Sequence, residues 1–434
     1  MKVLQCVHNF PPEFRGGVER CVESLVTDLL GIGVEPVVLA GSERSADSAH
    51  AVDEAHEGVS VTRLVGGRIL RQPADPFRPD LAPLVEAALD RVRPDVVHVH
   101  HWWNLGNDLV RRAAARGIPS VVTLHDHFAG CARFFRLPNG TPCTQPQGVV
   151  ACGPCLASDN PFDAVELRAR LGRRHEDFRS ELSHAMRVFA PSTSHAEFLR
   201  RVFPETRIDV LPLGSPSVEA VGRPPRGRTL RILHAGNLCR IKGVEFLADV
   251  VVRAKAAGAD ASLTLAGPEV EAGMRLEGAE RFGPYDRDAL RRLAASHDVA
   301  ALPSFALESY SYALDEVLRL GMPVLVSDRG AMRERVGGRG RVLPAGDAEA
   351  WVAAVCDLAR NPGALDPMLK ASFGALSSTV DHARALADVY ASIRGRVPPV
   401  PNLEAASLSR LAHLEGRVAD ILTLAGRARG PESP

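Results

Sequence analysis

Residues 303–328, PSFALESYSYALDEVLRLGMPVLVSD, decide the fold. An apolar run ends at Leu302 and meets Pro303-Ser304, and a short loop then carries Glu308. Ala313, Leu314, Val317 and Leu318 follow at helical spacing, with Glu316 among them. Gly321 stops the helix, and residues 323–326 start another strand. Strand, loop, helix and strand in that order make a parallel α/β unit. Seven residues separate Glu308 from Glu316. Eight steps at about 3.6 residues per turn do not stack them on one helix face. Glu308 is therefore read in the loop, and Glu316 about two turns into the helix. The amides of Ser309, Tyr310, Ser311 and Tyr312 crown the helix N-terminus, a place for an anion flanked by two hydroxyl-binding carboxylates. A sugar, a diphosphate and a ribose joined in line fit such a place.

The same punctuation recurs on both sides. Upstream, residues 231–235 read as a strand, Gly236 to Arg240 as a loop, and Lys242-Gly243 opens a helix. Near the start, residues 3–7 read as a strand and residues 18–30 as a helix, with Gly16-Gly17 between them. Two glycines at a helix start let the backbone approach a ligand closely. Residues 94–101, PDVVHVHH, form a buried strand ending in His98, His100 and His101, followed by Trp102-Trp103. Alternation places His98 and His100 on one face and His101 on the other. Residues 119–124 form a further strand, ending at His125-Asp126. Open parallel sheets bind ligands at such strand ends, so His100, His101, Trp102 and Asp126 are read as cleft residues.

The chain has 434 residues, enough for two or three domains, with a formal net charge of zero. Zero charge and the absence of a basic-aromatic array argue against a nucleic-acid partner. Lysine occurs only at Lys2, Lys242, Lys255 and Lys370, which makes Lys242 conspicuous. No apolar run reaches about 18 residues, and the first residues read as a buried strand, so a cytoplasmic protein is expected. Peripheral contact with the inner face of the membrane is left open, as is the role of the Arg-rich helical stretch 162–185, read first as a solvated face.

Eight cysteines in such a chain are read as thiols rather than disulfides. Cys131, Cys143, Cys152 and Cys155 cluster in a turn-rich insertion, residues 131–155. Their spacing suits a structural zinc ion, while an iron–sulfur cluster, a redox pair and plain reduced thiols stay open. Beyond Pro398, Pro399 and Pro401, a stripe of Leu411, Leu414, Val418, Ile421 and Ala425 suits a helix that packs on its own subunit or joins two copies.

The pattern PS-x3-E-x7-E-x4-GMPVLVSD resembles the E-x7-E region of family 4 glycosyltransferases, and the resemblance extends over most of residues 1–396. Gly16-Gly17 with Glu19 resembles the family's GG-x-E loop. VTLHD resembles the strand whose terminal His, here His125, contacts the transferred sugar. GNLCRIKG resembles the phosphate loop: Lys242 matches its Lys, but Asn237 stands where its Arg usually does, and Arg240 is the candidate replacement.

The resemblance implies an α/β chain of the GT-B fold, with two facing Rossmann-like domains, a cleft between them and a helical tail. The expected boundaries are 1–213 for the acceptor domain, 214–228 for the linker and 229–380 for the donor domain. A helix at 381–396 crosses back, and 397–434 form the tail. It implies retaining transfer from a nucleotide-diphosphate sugar, UDP slightly ahead of GDP, to a hydroxyl of a glycan, lipid-linked or small-molecule acceptor. Catalysis would fall to His125, Glu308, Arg240 and Lys242. Gly16, Gly17, Gly236, Asn237, Ser309, Tyr310, Ser311, Tyr312 and Glu316 would hold the donor, with no catalytic metal. A nucleotide-sugar epimerase and an inactive homologue acting as a partner protein are the alternatives.

Overall fold

The computed structural model describes residues 1–68, 72–136, 143, 149–218, 220–222, 227–371 and 376–399. The helical tail expected from residue 400 onward lies outside the described residues.

Apolar, β-branched segments separated by turns build two sheets. The first contains β1 (Lys2–Val7), β2 (Glu35–Ala40), β3 (Ser45–Ala46), β4 (His50–His56), β5 (Val59–Gly67), β6 (Val96–Val99), β7 (Ser120–Thr123), β8 (Arg187–Ala190) and β9 (Ile208–Val210). Its order is β3-β5-β2-β1-β6-β7-β8-β9, parallel throughout except for β4, which pairs antiparallel with β5. The second contains β10 (Leu230–Ala235), β11 (Ala261–Ala266), β12 (Ala279–Gly283), β13 (Val299–Leu302), β14 (Val324–Ser327) and β15 (Gly340–Leu343), in the order β12-β11-β10-β13-β14-β15. In each sheet the chain order reverses beside the first strand, between β1 and β6 and between β10 and β13. Loops at these two switch points converge on one cleft.

Seven helices position the groups discussed below: α1 (Gly17–Gly31), α2 (Ala164–His184), α3 (Thr193–Val202), α4 (Val244–Ala256), α5 (Tyr312–Arg319), α6 (Ala331–Arg335) and α7 (Thr379–Ile393). Helix α7 returns to the first sheet, where Ala383, Leu386, Tyr390 and Ile393 pack with Val3, Leu25, Val96 and Val121.

Helix α2 differs from the solvated helix expected of its composition. Asp163 caps it by accepting from the Val165 and Glu166 amides. Arg170, Arg174, Asp177 and Glu181 are all buried on its inner face. Each finds a partner there: Arg170 meets Asp75 at 2.8 Å, Arg174 donates to the Pro73 and Ala129 carbonyls, and Asp177 and Glu181 pair with Arg111. Buried charge is tolerated when it is paired and hydrogen-bonded.

Candidate active site

Glu308 follows β13 in the loop that the sequence indicated. Its Oε1 accepts from Lys242 Nζ at 2.6 Å and from Ser304 Oγ at 2.6 Å. Burial pushes its carboxyl up, but the Lys242 charge and these hydrogen bonds outweigh that and hold it below the ordinary glutamate value. Two glycines fix the pair. Gly243, at φ +75°, follows Lys242, and a Cβ there would sit 2.3 Å from the Pro303 carbonyl oxygen. Gly330, at φ +56°, lies against the Glu308 backbone, where a Cβ would come within 2.2 Å of the Glu308 carbonyl oxygen. That oxygen accepts from the Ala331 amide at 2.8 Å.

Helix α5 starts at Tyr312, capped by Ser311 at φ +74°, whose side chain accepts from the Leu314 amide. Glu316 is thus the fifth helical residue, just over one turn in rather than two. The preceding residues are held as loop: the Tyr310 hydroxyl donates to the Leu213 carbonyl, and the Arg335 guanidinium lies over the Tyr310 ring. Glu316 accepts from the Tyr285 hydroxyl at 3.0 Å and from Arg20, on α1, at 3.0 Å. Beside it a cavity of about 550 Å³, lined among others by Arg20, Tyr312, Glu316 and Arg287, opens between α1 and α5.

The opposing loops come from the ends of β1, β6 and β7. His100 Nδ1 lies 2.9 Å from His125 Nε2, and His101 Nε2 lies 3.3 Å from Asp126. Burial drives His125 down to about 3 despite Asp126 beside it, so its imidazole is neutral. Asp126 is half-buried; desolvation pushes its carboxyl up, but His101 and the Phe128 amide outweigh that and hold it below the usual carboxylate range. Ser309 Oγ donates to the His125 carbonyl, and His127 Nε2 lies 2.9 Å from the Leu307 carbonyl. Gly16 opens α1, its amide donating to Glu19 Oε2 at 3.0 Å, and Gly17 is exposed toward Tyr312. The two loops that carry His125 and Glu308 therefore touch across the cleft.

Two family profiles match this chain. One, described as Glycosyltransferase Family 4, matches residues 15–215, and one described as Glycosyl transferases group 1 matches residues 229–361. A glycogen synthase of Mycobacterium tuberculosis is 26% identical over 440 residues, covering 93% of this chain and 98% of that protein. The chain is a glycosyltransferase of the GT-B fold. Solved structures of that architecture superpose on nearly all of it. Sucrose-phosphate synthase from Thermosynechococcus elongatus does so with TM-score 0.62 and 16% identity, over 91% of this chain and 99% of that one. Anabaena HepE, in complex with UDP and glucose, does so with TM-score 0.57 and 15% identity, over 90% and 99%.

In this glycosyltransferase two residues lie elsewhere than expected. Trp102, expected in the acceptor cleft, is buried in the first domain's core, its indole donating to Glu181 at 2.9 Å and its ring edge-on to Phe178. Arg240, expected to supply a second cation, is exposed and pairs with Glu271, with Glu245 at 2.8 Å and with the Gly273 carbonyl. Gly236, at φ +138°, and the exposed Asn237 follow β10. Sequence reading missed Ser304, Arg20, Tyr285 and His127. Of these, only Ser304 carried a signal, since it stands within the PS-x3-E pattern.

Cys131, Cys152 and Cys155 line one cavity together with Arg133 and Arg174, and Arg133 Nε donates to Cys155 Sγ at 3.1 Å. The four thiols do not form a preassembled ligand set. Among the described residues only Glu23, His56 and Glu57 bring three ligand atoms within 4.8 Å of one another. None of the described helices is long and apolar enough to cross a membrane.

Proposed function

We propose that the protein moves a sugar from a nucleotide-diphosphate sugar, UDP slightly ahead of GDP, to an acceptor hydroxyl, with retention at the anomeric carbon. The Lys242–Glu308 contact at 2.6 Å, facing His125 across the cleft, carries this reading. A diphosphate bound at the α5 N-terminus would meet Lys242, the amides of Ser309 to Tyr312, and the exposed backbone at Gly17. Those groups stabilise charge as it develops on the leaving phosphate. Lys242, on Glu308 at 2.6 Å, is the cation for that task, while Arg240 lies in exposed pairs with Glu271 and Glu245. Glu316 takes the ribose hydroxyls in exchange for its contacts to Tyr285 and Arg20, and Glu308 takes a sugar hydroxyl. His125 and Asp126 stand on the sugar's other side, and His100 and His101 behind them. No protein general base is required if the departing phosphate takes the acceptor's proton, and we expect transfer to survive EDTA.

The UDP and glucose bound by HepE make UDP-glucose the first donor to test. The acceptor is a glycan, a lipid-linked sugar or a small molecule read by the loops of the first domain, in a cytoplasmic setting. A thermal-shift panel of nucleotide diphosphates and nucleotide-sugars, run on wild type and Glu316→Ala, tests the reading. Saturation at about 100 times the dissociation constant stabilises by about 2.7 kcal/mol. One nucleotide should raise the melting temperature of wild type and not of the variant. A panel without any shift would refute the donor site.

A further inference from the structure

A buried chain of hydrogen bonds runs from the last described helix to His125. Tyr390, on α7, places its hydroxyl 2.6 Å from His98 Nδ1, and His98 Nε2 lies 2.9 Å from Thr123 Oγ1. Gln5, on β1, has its amide nitrogen 3.5 Å from the Tyr390 hydroxyl and its amide oxygen 2.8 Å from His100 Nε2. His100 Nδ1 in turn meets His125 Nε2 at 2.9 Å. Gln5, His98, His100 and Tyr390 are each at most 2% exposed, so no bulk water intervenes.

The lengths give the chain a direction. A separation of 2.6 Å lies in the range of an O–H donor and is short for an N–H donor. An O–H donor from Tyr390 to His98 Nδ1 matches that length, and in that arrangement His98 Nε2–H donates to Thr123. With its proton committed, the Tyr390 oxygen can only accept, which turns the Gln5 amide nitrogen toward it and the amide oxygen toward His100. A carboxamide oxygen cannot donate, so His100 Nε2 carries the proton. Neutral imidazole has one N–H, so His100 Nδ1 is an acceptor and takes the proton of His125 Nε2–H. His125 Nδ1 then holds a lone pair and takes no hydrogen bond from any described residue, while His125 as a whole keeps 6% of its surface exposed.

We propose that His100, oriented by Gln5, is a positioning residue that locks His125 in the Nε2–H tautomer. His125 Nδ1 is thereby an acceptor-only contact for a hydroxyl of the transferred sugar. The sugar contact rests on the function proposed above; the tautomer does not. The arrangement selects a sugar that presents an O–H donor at that point, and disfavours one presenting only an acceptor.

The test uses the full chain labelled with ¹⁵N-histidine. Two-bond ¹H–¹⁵N correlation reads the tautomer, and His125→Asn assigns the signal. Wild type should show protonated Nε2 and unprotonated Nδ1 at His125. His100→Leu should mix the two tautomers, while His100→Asn, whose amide oxygen can stand in for the lost acceptor, should restore the wild-type pattern. In parallel, calorimetry compares UDP-glucose with UDP. His100→Leu should shrink the gain from the glucose moiety about tenfold, leaving UDP affinity unchanged. His100→Asn should recover most of it. A protonated Nδ1 in wild type would overturn the inference, and that spectrum needs no variant to fold. An unaltered UDP-glucose to UDP ratio in folded His100→Leu would overturn it equally. Wild type that binds UDP-glucose no better than UDP would overturn the sugar contact alone.

Discussion

Glu308 shows how much a single side chain carries here. Its carboxylate is largely buried, stays ionised through Lys242 and Ser304, and lies on the loop that touches the His125 loop. Glu308→Ala should lower kcat about 10²- to 10³-fold, the usual cost of one preorganised electrostatic contact. The circular dichroism spectrum should be unchanged, because Gly330 and Ala331 brace the Glu308 backbone and not its side chain. Turnover near wild type would remove Glu308 from the site. Glu308 and Lys242 were legible because each stands in a run of residues whose turns fix its place. Arg20 was not. It meets Glu316 across 296 positions, and no local pattern announces such a pairing. Trp102 misled because a strand-end Trp can face either way. Its direction is set by Glu181 on α2, far along the chain.

Among the elements, the short helices around the cleft owe their placement to glycine. Gly330, at φ +56°, precedes α6 and leaves no room for a methyl group beside the Glu308 carbonyl. Gly330→Ala should destabilise by about 1–3 kcal/mol, lowering the melting temperature by several degrees, and should also lower kcat by moving Glu308. A variant as stable and as active as wild type would show that the loop absorbs the change.

The cysteine insertion makes a different demand. Three thiols share a cavity, and burial raises the Cys131 thiol, as suits a group that loses its proton only to a strong partner. We expect about one zinc per chain by elemental analysis of native protein; metal-free protein of unchanged melting temperature would leave the four as reduced cysteines. The strand–loop–helix order of both domains was readable from apolar runs and their glycine stops. The end of the loop before α5 was not, because the Ser311 cap and the Tyr310 anchor depend on Leu213 and Arg335 elsewhere.

At the scale of the whole molecule, specific polar contacts join the two halves beside a small apolar cluster of Cys21, Leu213 and Tyr310. Glu334 of α6 accepts from the Thr193 and Ser194 amides at the start of α3, each at 2.8 Å, and Arg20 reaches Glu316. Polar contacts of this kind let domains open and close at modest cost.

The histidines make stability pH-dependent. Burial holds His125 at about 3 and His127, His234 and His382 each at about 4, below the ordinary 6.5. The unfolded chain therefore binds more protons than the folded one below about pH 6.5, so stability rises with pH there and is lost as pH falls toward 4. The melting temperature should be level above about pH 7.5 and fall steadily below pH 6.5, before the carboxylates titrate. A level profile down to about pH 5 would contradict the burial of neutral imidazoles.

Helix α7 sets an order of events during synthesis. Tyr390, Leu386 and Ile393 close a cluster with Val3, Leu25 and Val96, so a nascent chain that has just emerged as far as residue 213 presents that surface bare. At about 5–20 residues per second, roughly ten to forty seconds pass before residue 393 arrives to cover it. A fragment ending at residue 213 should bind a hydrophobic dye strongly, and the dye should leave when a peptide spanning α7 is supplied. The first domain's core is thus completed only after the second domain has been made.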